Sequence, residues 1–190
     1  LNAISRLGVD KGDQIVIMGA TVEGIILAQV AMYYQAVPIV VDMREEMLAL
    51  AQQSGVYFTV NAVNDDVCKK ILSLTGGHMA DSCAYFVGSG MPLQSVCDYT
   101  ATRGKIAVIG RYAENALSCN VGELIEKRLD LFTVTDCGKN YSSAINLLAN
   151  KTVNVDLLHA EPIPFDKAAE VYERLSSGAE DGSLKTLIKI

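Results

Sequence analysis

Short apolar runs alternate with helical patterns along most of this chain. Gln14 to Met18 reads as a buried strand, opened by the turn Lys11-Gly12-Asp13. A broadly apolar stretch from about Val22 to Tyr34 predicts a helix that packs on a sheet rather than facing water. Pro38 to Val41 predicts a second strand ending at Asp42, followed by a helix from Glu45 to Ser54 that stops at Gly55. Further strands are predicted at Tyr57–Val60, Ser82–Val87, Lys105–Ile109 and Leu129–Val134, with a helix at Asp65–Leu74 and another at about Asn140–Ala149. Arg103-Gly104-Lys105 reads as a solvated, hairpin-like connection before the fifth strand. Towards the end, Asp166 is a candidate N-cap for a helix over Lys167–Leu175, and the alternation from Leu184 to Ile190 predicts a last strand. Strands and helices in this order predict an α/β fold, a doubly wound, six-stranded parallel sheet.

Ligands bind such sheets at the carboxyl ends of the strands, where the strand order reverses. The first strand-to-helix turn reads Met18-Gly19-Ala20-Thr21-Val22-Glu23-Gly24. A dinucleotide fingerprint, G-x-G-x-x-G, belongs at this location. Gly19 and Gly24 fill its first and third glycine positions, and Thr21 stands at the second. The first glycine permits the tight turn, and the second leaves backbone bare for the pyrophosphate. The third lets the helix lie close to the strand, and the helix N-terminus offers N–H groups to phosphate. Thr21 adds bulk and Glu23 adds negative charge, so weakened cofactor binding is expected. Asp42 stands where an acid hydrogen-bonds a ribose 2′-OH, which favours NAD(H) over NADP(H). Arg44, two residues on, softens that discrimination.

Net charge and cysteine usage narrow the classes. The chain has 190 residues and a formal charge of −6, with a pI of about 4.9, unlike the basic face of a nucleic-acid binder. No apolar run approaches the roughly 20 residues that span a bilayer. Five cysteines, without a C-x-x-C pair, read as reduced thiols of a cytoplasmic protein. The two histidines, His78 and His159, lie far apart and read as structural, so a zinc site within the chain is not expected. With neither an initiator Met nor a signal peptide, a piece of a longer protein is expected.

The stretch from Gly8 to Ala20 resembles the entry to the cofactor domain of zinc-dependent medium-chain dehydrogenases, which include alcohol, sorbitol and threonine dehydrogenases. The resemblance continues through Leu48–Val56, Thr75–Asp81, Gly104–Gly110 and His159–Ala168, and so covers nearly the whole chain. It implies a Rossmann NAD(P)-binding domain over residues 1–150. Residues 151–190 would return to a catalytic domain whose zinc ligands lie outside this sequence. It implies contacts to the cofactor from Gly19, Ala20, Thr21, Val22, Glu23 and Gly24 at the pyrophosphate and from Asp42 at the adenine ribose. Val87 and Gly88 would line the adenine side, and Ile109, Gly110 and Arg111 the nicotinamide side. Lys185 would reach the pyrophosphate. The family's basic residue after the ribose acid is missing, and Met47 stands near its place. The resemblance also implies a homodimer joined through the sixth strand. Two other readings stay open: a non-catalytic nucleotide-sensing or assembly module with a degenerate glycine turn, and a zinc-independent reductase of the same superfamily.

Overall fold

A computed structural model of the chain describes residues 1–110, 117–136, 138–177 and 184–190. It divides into two compact units, Leu1–Asn154 and Val155–Ile190.

The first unit is built on six parallel strands: β1 (Gln14–Met18), β2 (Val37–Asp42), β3 (Phe58–Asn61), β4 (Ala80–Phe86), β5 (Thr100–Ile109) and β6 (Asp130–Val134). Their order is β3-β2-β1-β4-β5-β6, so the chain reverses direction across the sheet beside β1. Parallel strands covered on both faces read as continuous apolar runs, and four of the five residues of β1 are buried. Val16, Met18, Ile39, Val41, Cys83, Tyr85, Ile106 and Val108 form one inner layer with Val67, Ile71, Val96 and Cys97. The last four come from helices α4 (Val67–Leu74) and α5 (Gln94–Tyr99). On the opposite face Ile17 meets helix α2 (Val22–Tyr33) at Gly24. Eight of the twelve residues of α2 are buried, which is why its sequence is apolar nearly all round. Its one buried amide, Gln29, is satisfied by the backbone of Asn154: it donates to the carbonyl at 2.9 Å and accepts from the N–H at 2.6 Å.

The remaining helices of this unit are α1 (Asn2–Leu7), α3 (Glu45–Gln53), α6 (Val121–Lys127) and α7 (Tyr141–Ala149). Of the six expected strands of this sheet, β1 keeps its expected ends and the other five are present with shifted ends, whereas α1, α5 and α6 were not anticipated. Arg103-Gly104-Lys105 lies inside β5, not in a hairpin-like connection. The strand bulges there, between the pairs Ala80–Thr100 and Ser82–Lys105. A side chain on Gly104 would come within 2.4 Å of Thr100 Cγ2, so the bulge closes tightly on itself.

β6 is the last strand, and its outer edge is partly occupied. The Val134 carbonyl accepts from Gly110 N–H on the β5 side, so the alternate Thr133 carbonyl turns to the open edge. There it accepts a hydrogen bond from the Arg6 guanidinium of α1, which also stacks 4.4 Å from the centre of the Phe132 ring.

The second unit holds the two-residue strands β7 (Ile163–Pro164) and β8 (Ile188–Lys189), paired in parallel, and helix α8 (Ala168–Ser176). The expected strand over 184–190 is thus only its Ile188–Lys189 part plus a bridge from Lys185 to His159. Asp166 does not cap the helix: it sits inside a 3₁₀ turn, Phe165–Lys167, and no side chain caps α8. A cap needs extended backbone with its oxygen aimed at the first helical N–H groups, and a residue already in a turn lacks that geometry.

Candidate functional site

The carboxyl end of β1 runs directly into the glycine turn. Gly19 adopts φ +114°, a conformation that a side chain disfavours, and its N–H donates to the Val41 carbonyl at 2.8 Å. Gly24 lies so close beneath the turn that a Cβ there would stand 2.0 Å from the Gly19 carbonyl oxygen. Gly19 is therefore required by its backbone conformation and Gly24 by backbone contact. Thr21 stands in extended backbone, φ −68° and ψ 168°, so this position needs no glycine for its conformation. It is the N-cap of α2, and its hydroxyl accepts from Gly24 N–H at 3.1 Å. Glu23 lies in the first turn and is exposed, where the helix dipole favours a carboxylate. With Gly19, Ala20 and Gly24 N–H groups engaged, those of Thr21 and Val22 are the donors the turn still offers.

Asp42, at the end of β2, is only 1 % exposed. One oxygen, Oδ2, accepts from Ala20 N–H at 2.7 Å and from Arg44 Nη2 at 3.1 Å. The other, Oδ1, accepts from Arg44 N–H at 2.9 Å and from Arg44 Nε at 3.0 Å. A carboxylate has about four lone-pair sites, and these four donors fill them. Asp42 thus ties the glycine turn to the end of β2, while Arg44 clasps the carboxylate with a two-pronged fork.

Val87 and Gly88 follow β4, while Ile109 ends β5 and Gly110 follows it. The two strand ends abut: Val87 N–H donates to the Ile109 carbonyl at 2.9 Å, and a Cβ on Gly110 would lie 2.8 Å from Val87 Cβ. The structure thus brings Gly19 to Gly24, Asp42, Arg44, Val87, Gly88, Ile109 and Gly110 to the carboxyl ends of β1, β2, β4 and β5. Arg111 lies outside the described residues. Lys185 belongs to the second unit, where its carbonyl accepts from Ala160 N–H at 2.9 Å. Met47 is buried.

Two residues of this region were not anticipated. Ser89 and Met43 lie in the loops after β4 and β2, and these loops meet: a Cβ on Gly90 would come within 2.9 Å of Met43 Cε. A hydroxyl between two glycines directly after a strand, Gly88-Ser89-Gly90, was the available signal. Among the described residues, no three His, Cys, Asp or Glu side chains converge as metal ligands. The donor set of a zinc site is not assembled there. The thiols of Cys83 and Cys97 are buried, and burial pushes them up to about 12 and about 11, so both stay protonated at neutral pH.

Comparison with known proteins fits this geometry. Residues 24–150 match the family model for zinc-binding dehydrogenases. The chain belongs to that family. An uncharacterized zinc-type alcohol dehydrogenase-like protein of Haemophilus influenzae is 28 % identical over 182 residues, covering 95 % of this chain and 53 % of that protein. Sorbitol dehydrogenase of Rattus norvegicus is 28 % identical over 193 residues, covering 98 % and 52 %. Among solved folds, a short chain alcohol dehydrogenase from Escherichia coli complexed with NADH superposes with a TM-score of 0.82 at 16 % identity, over 98 % of this chain and 54 % of that one. The chain spans about half the length of these curated relatives.

Proposed function

We propose that this chain is the NAD(H)-binding part of a zinc-dependent dehydrogenase acting on alcohols or polyols. The observation that carries this reading is the Gly19–Gly24 turn at the carboxyl end of β1, tied by Ala20 N–H to the buried Asp42 carboxylate of β2. The residues fit a dinucleotide at three points. Gly24 and Gly19 keep the turn bare of side chains. Thr21 and Val22 offer N–H groups to phosphate oxygens at a helix N-terminus. Asp42 stands where the adenine ribose would lie. A bound nicotinamide supplies the hydride chemistry, and the protein binds and orients it. Val87, Gly88, Ile109, Gly110 and Arg111 would line its two ends, and Lys185 would serve the pyrophosphate. Polarisation of the substrate by zinc is assigned, on the family resemblance, to residues outside this chain.

The same reading places the protein in the cytoplasm as a homodimer joined through β6. Four of its cysteines are free thiols, and no helix among the described residues is long and apolar enough to cross a membrane. Titration of the purified chain with NADH and NADPH, followed by nucleotide fluorescence, tests the proposal. Saturable binding of one NADH per chain, tighter than NADPH, is expected. Absence of saturable binding, or a preference for NADPH, would defeat it.

One observation favours a second reading, a non-catalytic module. Asp42 has no acceptor site left for a ribose, and Thr21 consumes the Gly24 N–H. Under that reading, freeing Asp42 from Arg44 would restore no dinucleotide binding.

A further inference from the structure

The loop after β4 is fixed at both ends. Ser89 N–H donates to the Phe86 carbonyl at 3.1 Å, and the Tyr85 hydroxyl donates to the Met91 carbonyl at 2.8 Å. Between these anchors the Ser89 side chain turns inward, 7 % exposed, with its Oγ sealed from solvent and without a hydrogen-bond partner. Its Cβ lies 3.1 Å from where a Cβ on Gly19 would stand. The Ser89 side chain therefore packs against the first residue of the glycine turn.

A buried hydroxyl without a partner loses its hydration and gains nothing in return, a cost of about 1–3 kcal/mol. Alanine would avoid that cost at the same place. Such groups are uncommon in folded proteins and call for a partner that the chain itself does not supply. Met43, 42 % exposed, reaches across from the β2 loop to Gly90. Methionine is unbranched and rotates readily about three bonds, so it can swing aside without moving backbone.

We propose that Ser89 is a further dinucleotide-binding residue, whose hydroxyl donates to an oxygen of the nucleotide's ribose-phosphate backbone lying over Gly19, and that Met43 covers this place until the nucleotide enters. The proposal rests on the dinucleotide reading above. It makes Ser89 costly in the empty protein and useful in the complex, so two measurements move in opposite directions.

The test compares the unmodified chain with Ser89→Ala and Met43→Ala. Thermal unfolding is followed without ligand, NADH binding by fluorescence, and ADP-ribose binding by competition. Ser89→Ala is expected to melt at the same or a higher temperature without ligand, and to bind NADH and ADP-ribose about fivefold more weakly, the loss of one neutral hydrogen bond. Met43→Ala is expected to bind NADH faster. Unchanged affinity of Ser89→Ala for both ligands overturns the proposal. So does a lower melting temperature without ligand, because the hydroxyl would then be part of the fold. Loss of NADH affinity with ADP-ribose unaffected overturns the assignment to the ribose-phosphate backbone. Failure of the dinucleotide reading itself shows differently, as absence of NADH binding by the unmodified chain, and it removes this proposal as well.

Discussion

Replacing Arg44 by methionine should tighten NADH binding, weaken NADPH binding and destabilise the empty protein, all from one interaction. The guanidinium fork fills two of the four acceptor sites of Asp42, at 3.0 and 3.1 Å. A ribose diol at Asp42 must displace it. Breaking a fully buried pair from one side costs about 3–5 kcal/mol, whereas exposed pairs contribute about 0.2–1 kcal/mol. Here the side chains are 30 % and 1 % exposed, so the fork lies between these limits and is screened on the arginine side. About 1–2 kcal/mol is a reasonable magnitude for it. Arg44→Met keeps an apolar stem and removes the fork, so the ligand no longer has to break it. A gain of ~1.4 kcal/mol is about tenfold in NADH affinity. For NADPH the sign reverses, because a 2′-phosphate loses a cation and faces an uncovered carboxylate. The assay is paired titration with NADH and NADPH, with urea unfolding of the empty protein alongside. NADH affinity that stays the same or falls in Arg44→Met would refute the view that the fork competes with the ribose.

Gly24→Ala should lose about 2–4 kcal/mol in urea unfolding, although alanine in an unobstructed helix would gain up to about 1 kcal/mol, because its Cβ meets the Gly19 carbonyl at 2.0 Å; a variant as stable as the original contradicts that close approach. The double change Thr21→Gly with Glu23→Ile frees the Gly24 N–H and removes a carboxylate, and is expected to bind NADH about tenfold more tightly, ~1.4 kcal/mol, at a small loss of stability; titration showing no gain rejects the turn as the limiting feature. Stability should fall above about pH 9, since the Cys83 thiol keeps its proton in the folded chain up to about 12 while the unfolded chain releases it near the ordinary thiol value. The slope is about 1.4 kcal/mol per pH unit for this one group, and urea midpoints from pH 8 to pH 11 should be flatter in Cys83→Ala; the same slope in both proteins would exclude Cys83 as its source.

The part of the chain legible in the sequence is the part whose structure is local. β1, the glycine turn, α2 and β2 follow from two apolar runs, one apolar helix and a glycine pair, and each lies close to its expected place. α6 was invisible because none of its residues is buried and its apolar Val121 and Ile125 face outward, so no core-facing stripe marks it. α5 is six residues long, too short for a periodic signal. The last strand was read too long because alternation at 184–190 says nothing about pairing, and β7 offers only Ile163 and Pro164 as partners. At the site, Asp42 and Arg44 were both visible, but the fork that joins them depends on side-chain placement. The sealed Ser89 hydroxyl is a property of packing between β1 and the β4 loop, 70 residues apart, so sequence spacing alone does not reveal it.

The Arg6 guanidinium on the edge of β6 makes that edge conditional. The Thr133 carbonyl it holds is one of the acceptors that an added strand would need. Docking of α1 and extension of the sheet therefore compete for one oxygen atom, and under the proposed dimer the chain would carry its own plug at the joining edge. A partner strand must unseat a cation stacked on Phe132 before it can zip. Joining through β6, as proposed, would be an exchange of one bonding arrangement for another, reversible and dependent on concentration. The segment around Asn2 and Arg6, far from the glycine turn in the sheet order, holds the balance.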